Sequence, residues 1–186
     1  MGRKQTSKEL LTDAILSLSE RFPIDQISVK MLASESGVCI QTFYNHFSDK
    51  LDLILWIHST ECRRLLDKFR NGEMTMHEVA LEYIRYYLKH ETFMLNAFNN
   101  TYGPESFARK SAEISTLLWE QYLREKTKME ELPSDILFEL KMHSEAVSVM
   151  MARYLASKEE ASPEEFAQLL EDSVPERLMT FVTQTA

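Results

Sequence analysis

Apolar residues recur along most of the chain at steps of three and four, the spacing that places side chains on one face of an α-helix. The first of these stripes is formed by Leu11, Ala14, Ile15, Leu18 and Phe22. Pro23 follows the stripe and predicts the end of the first helix. Because no segment shows a convincing strand pattern, the sequence predicts an all-α protein.

Local signals predict three further helices near the N-terminus. Ser28 is a favoured N-cap for a second helix, and Gly37 is suited to the left-handed conformation that ends one. After a turn of three residues, a third helix is predicted over about 40–47, and Ser48 or Asp49 caps a fourth. Two short helices around a tight turn are typical of a helix-turn-helix unit, whose second helix enters the major groove of DNA.

The third helix carries two kinds of side chain. Phe43 and Phe47 are four residues apart, so they share a face and are expected to pack inward. The remaining side chains are polar or amphipathic: Gln41, Thr42, Tyr44, Asn45 and His46. Such groups hydrogen-bond base edges and phosphates, so this helix predicts a surface that contacts DNA.

The same stretch resembles the DNA-binding signature of the TetR family of transcription regulators. The resemblance rests on Gly37-Val38, Thr42-Phe43-Tyr44, His46-Phe47 and Ser48-Asp49-Lys50-Leu51, and it covers about residues 8–55. Within the family, the segment Gln-Thr-Phe-Tyr-Asn-His-Phe resembles regulators of dihydroxyacetone kinase operons. The resemblance implies a helix-turn-helix DNA-binding domain over 1–52 and a helical regulatory and dimerisation domain over 53–186.

The resemblance also implies roles for individual residues. Gln41, Thr42 and Asn45 would approach bases, and Tyr44 and His46 would lie along the DNA backbone. The phosphate contacts would come from Ser28, Lys30 and Lys50, with Arg3 and Lys4 in an N-terminal arm. Cys39 departs from the family pattern, because a Ser or Thr cap is usual at that position, so the third helix is expected to start less firmly.

Beyond Asn71-Gly72 the pattern predicts helices only. They cover about 75–90, 92–101, 105–128 and 134–157. Ser162-Pro163 opens a final helix that Pro175 should kink or split.

Nine of the nineteen aromatic residues fall within a window of forty residues, 83–122. We interpret them as the lining of a ligand pocket, with the candidates Tyr83, Tyr87, Phe98, Trp119 and Tyr122. Ordinary helix-packing core is the alternative, and for the cluster as a whole the sequence leaves the two equally open.

The last two helices offer more apolar surface than one helix pair can bury. A two-fold four-helix interface between two copies is the preferred interpretation, and an internal core is the alternative. The candidate interface residues are Val147, Met150, Met151, Tyr154, Phe166 and Leu170.

Charge is distributed unevenly. Residues 1–51 carry six basic and six acidic side chains, so the net charge of −8 belongs to the rest of the chain. An acidic body repels DNA and leaves the N-terminal segment as the tolerable contact face. No apolar run is long enough to span a membrane and no secretory signal is evident, so we expect a cytoplasmic protein with Cys39 and Cys62 reduced.

The sequence contains no complete motif of the enzyme classes considered. His77-Glu78 and His90-Glu91 each begin like a zinc-protease motif but lack its second histidine, and no Glu-x-x-His, phosphate loop or Gly-x-Ser-x-Gly occurs. We therefore expect no enzyme, no cofactor and no metal site.

The sequence favours a ligand-responsive repressor that binds palindromic operator DNA as a homodimer. Two alternatives stay open: an activator controlled by a partner protein, and a helical protein-interaction module without DNA binding.

Overall fold

The computed structural model describes residues 5–157 and 161–183, and all regular structure in these ranges is helical, as predicted. Three short helices come first: α1 (Ser7–Ser19), α2 (Val29–Ser36) and α3 (Ile40–Tyr44), with a 3-10 turn at Ile24–Gln26. Seven further helices follow: α4 (Lys50–Arg70), α5 (Met76–Lys89), α6 (Glu91–Asn99), α7 (Phe107–Thr127), α8 (Ser134–Ser157), α9 (Pro163–Asp172) and α10 (Glu176–Thr183). A second 3-10 turn, Gly103–Glu105, precedes α7.

Capping boxes fix the start of three helices. In each box a hydroxyl accepts from a backbone N–H three residues on, and a glutamate there accepts from the cap's own N–H. The pairs are Thr6 with Glu9, Thr75 with Glu78, and Ser162 with Glu165. These pairs satisfy backbone donors that a helix start otherwise leaves open.

Two helix ends bear on the predictions. Pro175 lies between α9 and α10 and splits the last helix, as expected. Helix α3 ends at Tyr44, earlier than the predicted limit at residue 47. Its last turn continues as hydrogen bonds from the backbone N–H groups of His46 and Phe47 to the Phe43 carbonyl, both 2.9 Å, so Phe47 still packs with Phe43.

Helix α4 joins two apolar clusters. Leu53 lies in the larger cluster with Leu11 and Phe43 of the N-terminal helices. Leu66 lies in the smaller cluster, which contains Leu178. The predicted domain boundary after residue 52 falls within the first turn of α4, so one helix of 21 residues, about 31 Å long, crosses it.

A second attachment joins the N-terminal helices to the rest of the chain. The Asn96 amide on α6 donates to the carbonyls of Ser19 (3.1 Å) and Phe22 (2.8 Å) and accepts from the backbone N–H of Ile24 (2.7 Å). This side chain thereby satisfies three backbone groups where the chain turns after α1. The N-terminal helices are held at α6 as well as through α4.

Candidate DNA-binding surface and C-terminal cavity

The turn between α2 and α3 is shaped by local hydrogen bonds. The Ser28 hydroxyl accepts from the N–H of Met31 at 3.2 Å and opens α2. Gly37 ends α2 with φ at +68°, a left-handed conformation that glycine adopts without steric cost. The Ser36 hydroxyl then accepts from the N–H of Val38 at 3.2 Å, which fixes the direction of the chain into α3.

Helix α3 has one buried face and one exposed face. Phe43 and Phe47 are 0% and 2% exposed, and their ring centroids lie 5.8 Å apart. Of the predicted contact residues, four are exposed: Gln41, Tyr44, Asn45 and His46. Thr42 is half-buried. The Gln41 amide donates to the Asn45 carbonyl oxygen at 3.1 Å, so two amide side chains are presented as one hydrogen-bonding unit.

The start of α3 differs from a standard capped helix. Cys39 stands at the N-cap and makes no side-chain capping hydrogen bond of the kind that Ser28 makes at α2. Its sulfur lies 3.1 Å from the Thr42 hydroxyl, and this contact lowers the pKa of the Cys39 thiol.

Ile40 is a residue that sequence reasoning missed. It is 45% exposed and shares the outer face of α3 with Tyr44, four residues on. Its spacing of three and seven residues from Phe43 and Phe47 predicts burial, so no sequence signal separated it from the core. An exposed aliphatic group on this face is suited to contact the methyl group of thymine.

The predicted phosphate contacts lie in different environments. Ser28 and Lys30 are exposed at the start of α2. The Lys50 ammonium donates to the carbonyls of Asp25 (2.8 Å) and Ile27 (2.9 Å), and burial lowers its pKa. Lys50 therefore braces the segment before α2, and its role toward phosphate stays a prediction. Arg3 and Lys4 lie outside the described residues.

A cavity of about 150 Å³ lies among α4, α5, α7, α8, α9 and α10. An apolar cavity of roughly this volume is large enough for a benzene-sized molecule. Among the five predicted pocket residues, Tyr83 and Trp119 line the cavity. Phe98 packs on Phe107 with ring centroids 4.9 Å apart, and Tyr122 packs on Phe69 at 5.7 Å.

Four serines are among the lining residues that the sequence did not lead us to expect. Ser111 and Ser115 of α7, and Ser144 and Ser148 of α8, all line the cavity. Each pair is spaced four residues apart, so each presents two hydroxyls on one face of its helix. That repeat is present in the sequence and would have indicated a polar helix contact.

Tyr87, the remaining predicted pocket residue, belongs to a buried hydrogen-bonded chain behind the cavity wall. Its hydroxyl lies 2.9 Å from the Tyr83 hydroxyl and 3.0 Å from Nδ1 of His58. Nε2 of His58 lies 3.3 Å from the Ser111 carbonyl oxygen. His58 is 1% exposed, and burial lowers its pKa from 6.5 to about 4, so the ring is neutral at pH 7.

The predicted dimer-interface residues lie mostly inside the chain. Met151 and Phe166 are 0% and 5% exposed, and Tyr154 stacks on Phe166 with ring centroids 4.2 Å apart. Val147 and Leu170 line the cavity. These five side chains are packed within one subunit, and the sixth, Met150, is 43% exposed.

The exposed apolar surface of the C-terminal helices lies elsewhere. Phe138, Met142 and Val149 of α8 and Leu117 of α7 are each between 44% and 64% exposed. Residues 138, 142 and 149 follow the helical repeat and form one stripe. We call these four residues the α7–α8 face.

Metal-binding clusters and membrane-spanning helices are both absent from the described ranges. No group of three or more His, Cys, Asp or Glu side chains there is arranged to hold a metal ion. Within the same ranges no helix is both long enough and apolar enough to cross a membrane.

Known proteins resemble this chain in their solved structures, whereas searches with the whole sequence find no match. No protein-family model matches the chain, and no curated protein sequence does. Solved structures match over nearly the whole chain. The dihydroxyacetone kinase operon activator DhaS is 17% identical with a TM-score of 0.59, over 94% of this chain and 97% of that one.

Two further matches are regulators by name. The TetR family repressor AlkX from Dietzia sp. strain DQ12-45-1b, implicated in biodegradation of n-alkanes, is 14% identical with a TM-score of 0.54, over 98% and 100% of the chains. The fatty acid degradation regulator FadR from Bacillus halodurans is 12% identical with a TM-score of 0.56, over 98% and 97%. The chain thus has the fold of TetR-type regulators, which confirms the predicted fold and the resemblance at that level.

Because His58 is buried and neutral, we expect the free energy of unfolding to depend on pH. Its pKa of about 4 lies below the unfolded value of 6.5, so the unfolded chain binds more protons between these values and stability falls as the pH falls. The lost contribution is about 3 kcal/mol at pH 4. We expect His58→Gln to lose less stability than the unchanged protein between pH 7 and pH 4 in urea unfolding. Parallel profiles would contradict the assignment.

The two hydrogen bonds of the Lys50 ammonium should contribute to the free energy of unfolding in the absence of DNA. Lys50→Met keeps the aliphatic stem and removes both hydrogen bonds to the carbonyls of Asp25 and Ile27, so the free energy of unfolding should fall by about 1–2 kcal/mol. Lys30→Met, at an exposed position, is the matched control and should stay within about 0.5 kcal/mol. If the two variants are equally stable in chemical denaturation, the hydrogen bonds of Lys50 do not stabilise the segment before α2.

Proposed function

We propose that this protein is a cytoplasmic transcription regulator that binds a roughly palindromic operator as a homodimer and responds to a signal in its C-terminal helices. The observation that carries the proposal is the exposed face of α3, with hydrogen-bonding side chains, on a helix-turn-helix in a TetR-type fold. The matched structures are named as an activator, a repressor and a regulator, which supports regulation over catalysis.

In this proposal the exposed residues of α3 contact the major groove. The Gln41 and Asn45 amides hydrogen-bond base edges, and Ile40 and Tyr44 contact thymine methyl groups and the backbone. Thr42, half-buried and close to Cys39, has less freedom to reach a base. Ser28 and Lys30 at the start of α2 contact phosphate.

Two copies would associate through the α7–α8 face. A dimer places two recognition helices one turn of DNA apart, about 34–36 Å, as operators with two half-sites require. The four residues of the face are large, apolar and exposed, which supports them over the internal residues that the sequence suggested.

The signal would pass along α4. Cys62 and Leu66 on this helix line the cavity, and Leu53 near its start packs with the N-terminal helices. A ligand that fits one placement of α4 better than another shifts the population toward it and moves α3 relative to its partner. Asn96 would act as the second point about which the N-terminal helices turn.

Repression is the mode proposed first, because a dimer on its operator blocks access without further contacts. Activation controlled by a partner protein is the second candidate, and the similarity to an operon activator favours it. A reporter gene behind the operator separates the two, since deletion of the regulator raises expression under repression and lowers it under activation.

The deciding experiment is a fluorescence-anisotropy titration of the purified protein against DNA flanking its own gene. Scrambled DNA serves as competitor, and two salt concentrations are used. We expect binding that resists the competitor and weakens steeply with salt, because phosphate contacts release counterions. Absence of sequence-selective binding in a genome-fragment pull-down would favour the protein-interaction module.

Gln41 should contribute to sequence discrimination. Gln41→Ala removes one amide of the pair with Asn45, so operator affinity should fall by about 1–3 kcal/mol and discrimination at that base pair should relax. Gln168→Ala is the matched control, because Gln168 makes the same type of bond to Asp172 on exposed α9. The measurement is anisotropy against single-base operator variants. Unchanged discrimination would remove Gln41 from the base contacts.

The α7–α8 face should determine the oligomeric state. Phe138→Glu places a charge within the proposed interface, at its most exposed apolar side chain, so sedimentation velocity should show a monomer, with operator affinity reduced. Leu169→Glu is the control, since Leu169 is 60% exposed on α9, outside this face. A Phe138→Glu dimer as tight as the unchanged one would place the interface elsewhere.

A further inference from the structure

The cavity has a polar end and an apolar end, and this polarity suggests what it binds. We propose that it takes an uncharged single-chain amphiphile, with a hydroxyl head near Tyr83 and the serines and an apolar tail toward α10. This inference rests on the effector site of the proposed function and adds the chemical class of its ligand.

The polar end is defined by the pairing of α7 with α8. Ser111 near the start of α7 meets Ser148 in the second half of α8, with their hydroxyls 3.1 Å apart, and the two helices run in opposite directions. Ser115 and Ser144 lie one turn farther along, and Trp119 follows a turn later on α7. From Ser111 to Trp119 the lining extends eight residues of helix, about 12 Å.

The far end is apolar. Its lining residues come from α4, α5, α8 and α10, and they are Leu66, Met76, Leu140, Leu178 and Val182. All five belong to the smaller apolar cluster or pack against it. Transfer of an alkyl tail from water into this end stabilises the complex by about 0.8 kcal/mol for each buried methylene.

The direction of the buried hydrogen bonds determines what the polar end offers. A carbonyl oxygen only accepts, so the His58 Nε2 carries a hydrogen and donates to Ser111. Because the ring is neutral, its Nδ1 accepts from the Tyr87 hydroxyl. The Tyr87 oxygen in turn accepts from the Tyr83 hydroxyl.

Tyr83, a residue of the cavity wall, therefore uses its hydrogen inside the protein, and its hydroxyl oxygen can only accept. A ligand that satisfies it needs an O–H or N–H donor. Ser144 supplies the complement, because its hydroxyl lines the cavity and makes no hydrogen bond within the described residues. A hydroxyl head both donates and accepts, so it offers the donor that the Tyr83 oxygen lacks and the partner that the Ser144 hydroxyl lacks.

The charge of the lining excludes an acidic head. Among the described lining residues there is no Lys or Arg, and the one carboxylate, Glu171, lies 3.3 Å from His77. Burial raises the pKa of Cys62 to about 12 and lowers that of His143, so both are neutral at pH 7. A carboxylate or phosphate head would be buried without a counter-charge, at a high desolvation cost.

Ligand binding can be followed without DNA. The chain has two tryptophans, so Trp56→Phe leaves Trp119 in the cavity wall as the only fluorophore of its kind. The probes are 1-octanol, its isomer 1-methoxyheptane, which lacks the donor, and octanoate, which carries the charge. We expect saturable emission change and a raised Tm with 1-octanol, with the ether about fivefold weaker and octanoate at least about a hundredfold weaker.

A variant tests the assignment of the polar end. Tyr83→Phe removes the accepting oxygen, so 1-octanol should bind about fivefold more weakly and lose its advantage over the ether. Tyr86→Phe is the matched control, because it loses a hydroxyl from the same helix outside the cavity lining and should leave both affinities unchanged.

The outcomes separate this proposal from the proposed function. Octanoate binding as tightly as 1-octanol overturns the proposal, as does a preference for 1-octanol that survives Tyr83→Phe. No saturable binding of any probe, in a protein that still binds its operator, overturns it and leaves the regulator standing. Binding of 1-octanol by a protein without sequence-selective DNA binding keeps the cavity assignment and removes the regulatory function.

Discussion

Helix α4 contributes side chains to one apolar cluster near its start and to another near its end, and this constraint ties the N-terminal helices to the rest of the chain. Its first turns pack with Leu11 and Phe43, and Leu66 near its other end lies in the smaller cluster, which also contains Leu123 of α7 and Leu178 of α10. An unbroken backbone hydrogen-bond ladder makes it stiff over about 31 Å. The orientation of α3 relative to the cavity therefore depends on α4 and on the hydrogen bonds of Asn96. A change at the cavity wall that displaces α4 also displaces α3.

Much of the fold was predictable because its signals are local. Ser28, Gly37 and Pro175 mark helix ends through backbone chemistry that involves only a few neighbours, and the structure follows each of them. The face of α3 was also predictable, since Phe43 and Phe47 share one side and the amide and hydroxyl groups occupy the others.

The burial of individual apolar residues was not predictable, because it depends on which helix packs against which face of its neighbours. Periodicity identified Met151 and Phe166 as apolar but did not specify whether they pack within one subunit or between two, and the structure buries both internally. Phe138 has the same kind of spacing and is exposed. The His58 chain joins residues 29 and 53 positions apart in sequence, so no local pattern indicated it. Solved structures at 12–17% identity share the fold for the same reason: it is specified by pattern more than by residue identity.

The paired serines on α7 and α8 also bear on how the cavity changes over evolutionary time. A serine side chain differs from alanine by one oxygen and from threonine by one methyl group, so single substitutions alter cavity volume and polarity in the smallest available steps. These positions lie on α7 and α8 and not on α3, and such small changes leave the helix backbones in place. In the proposed regulator, ligand preference can therefore drift in small increments at the cavity while the DNA sequence that α3 recognises stays constant.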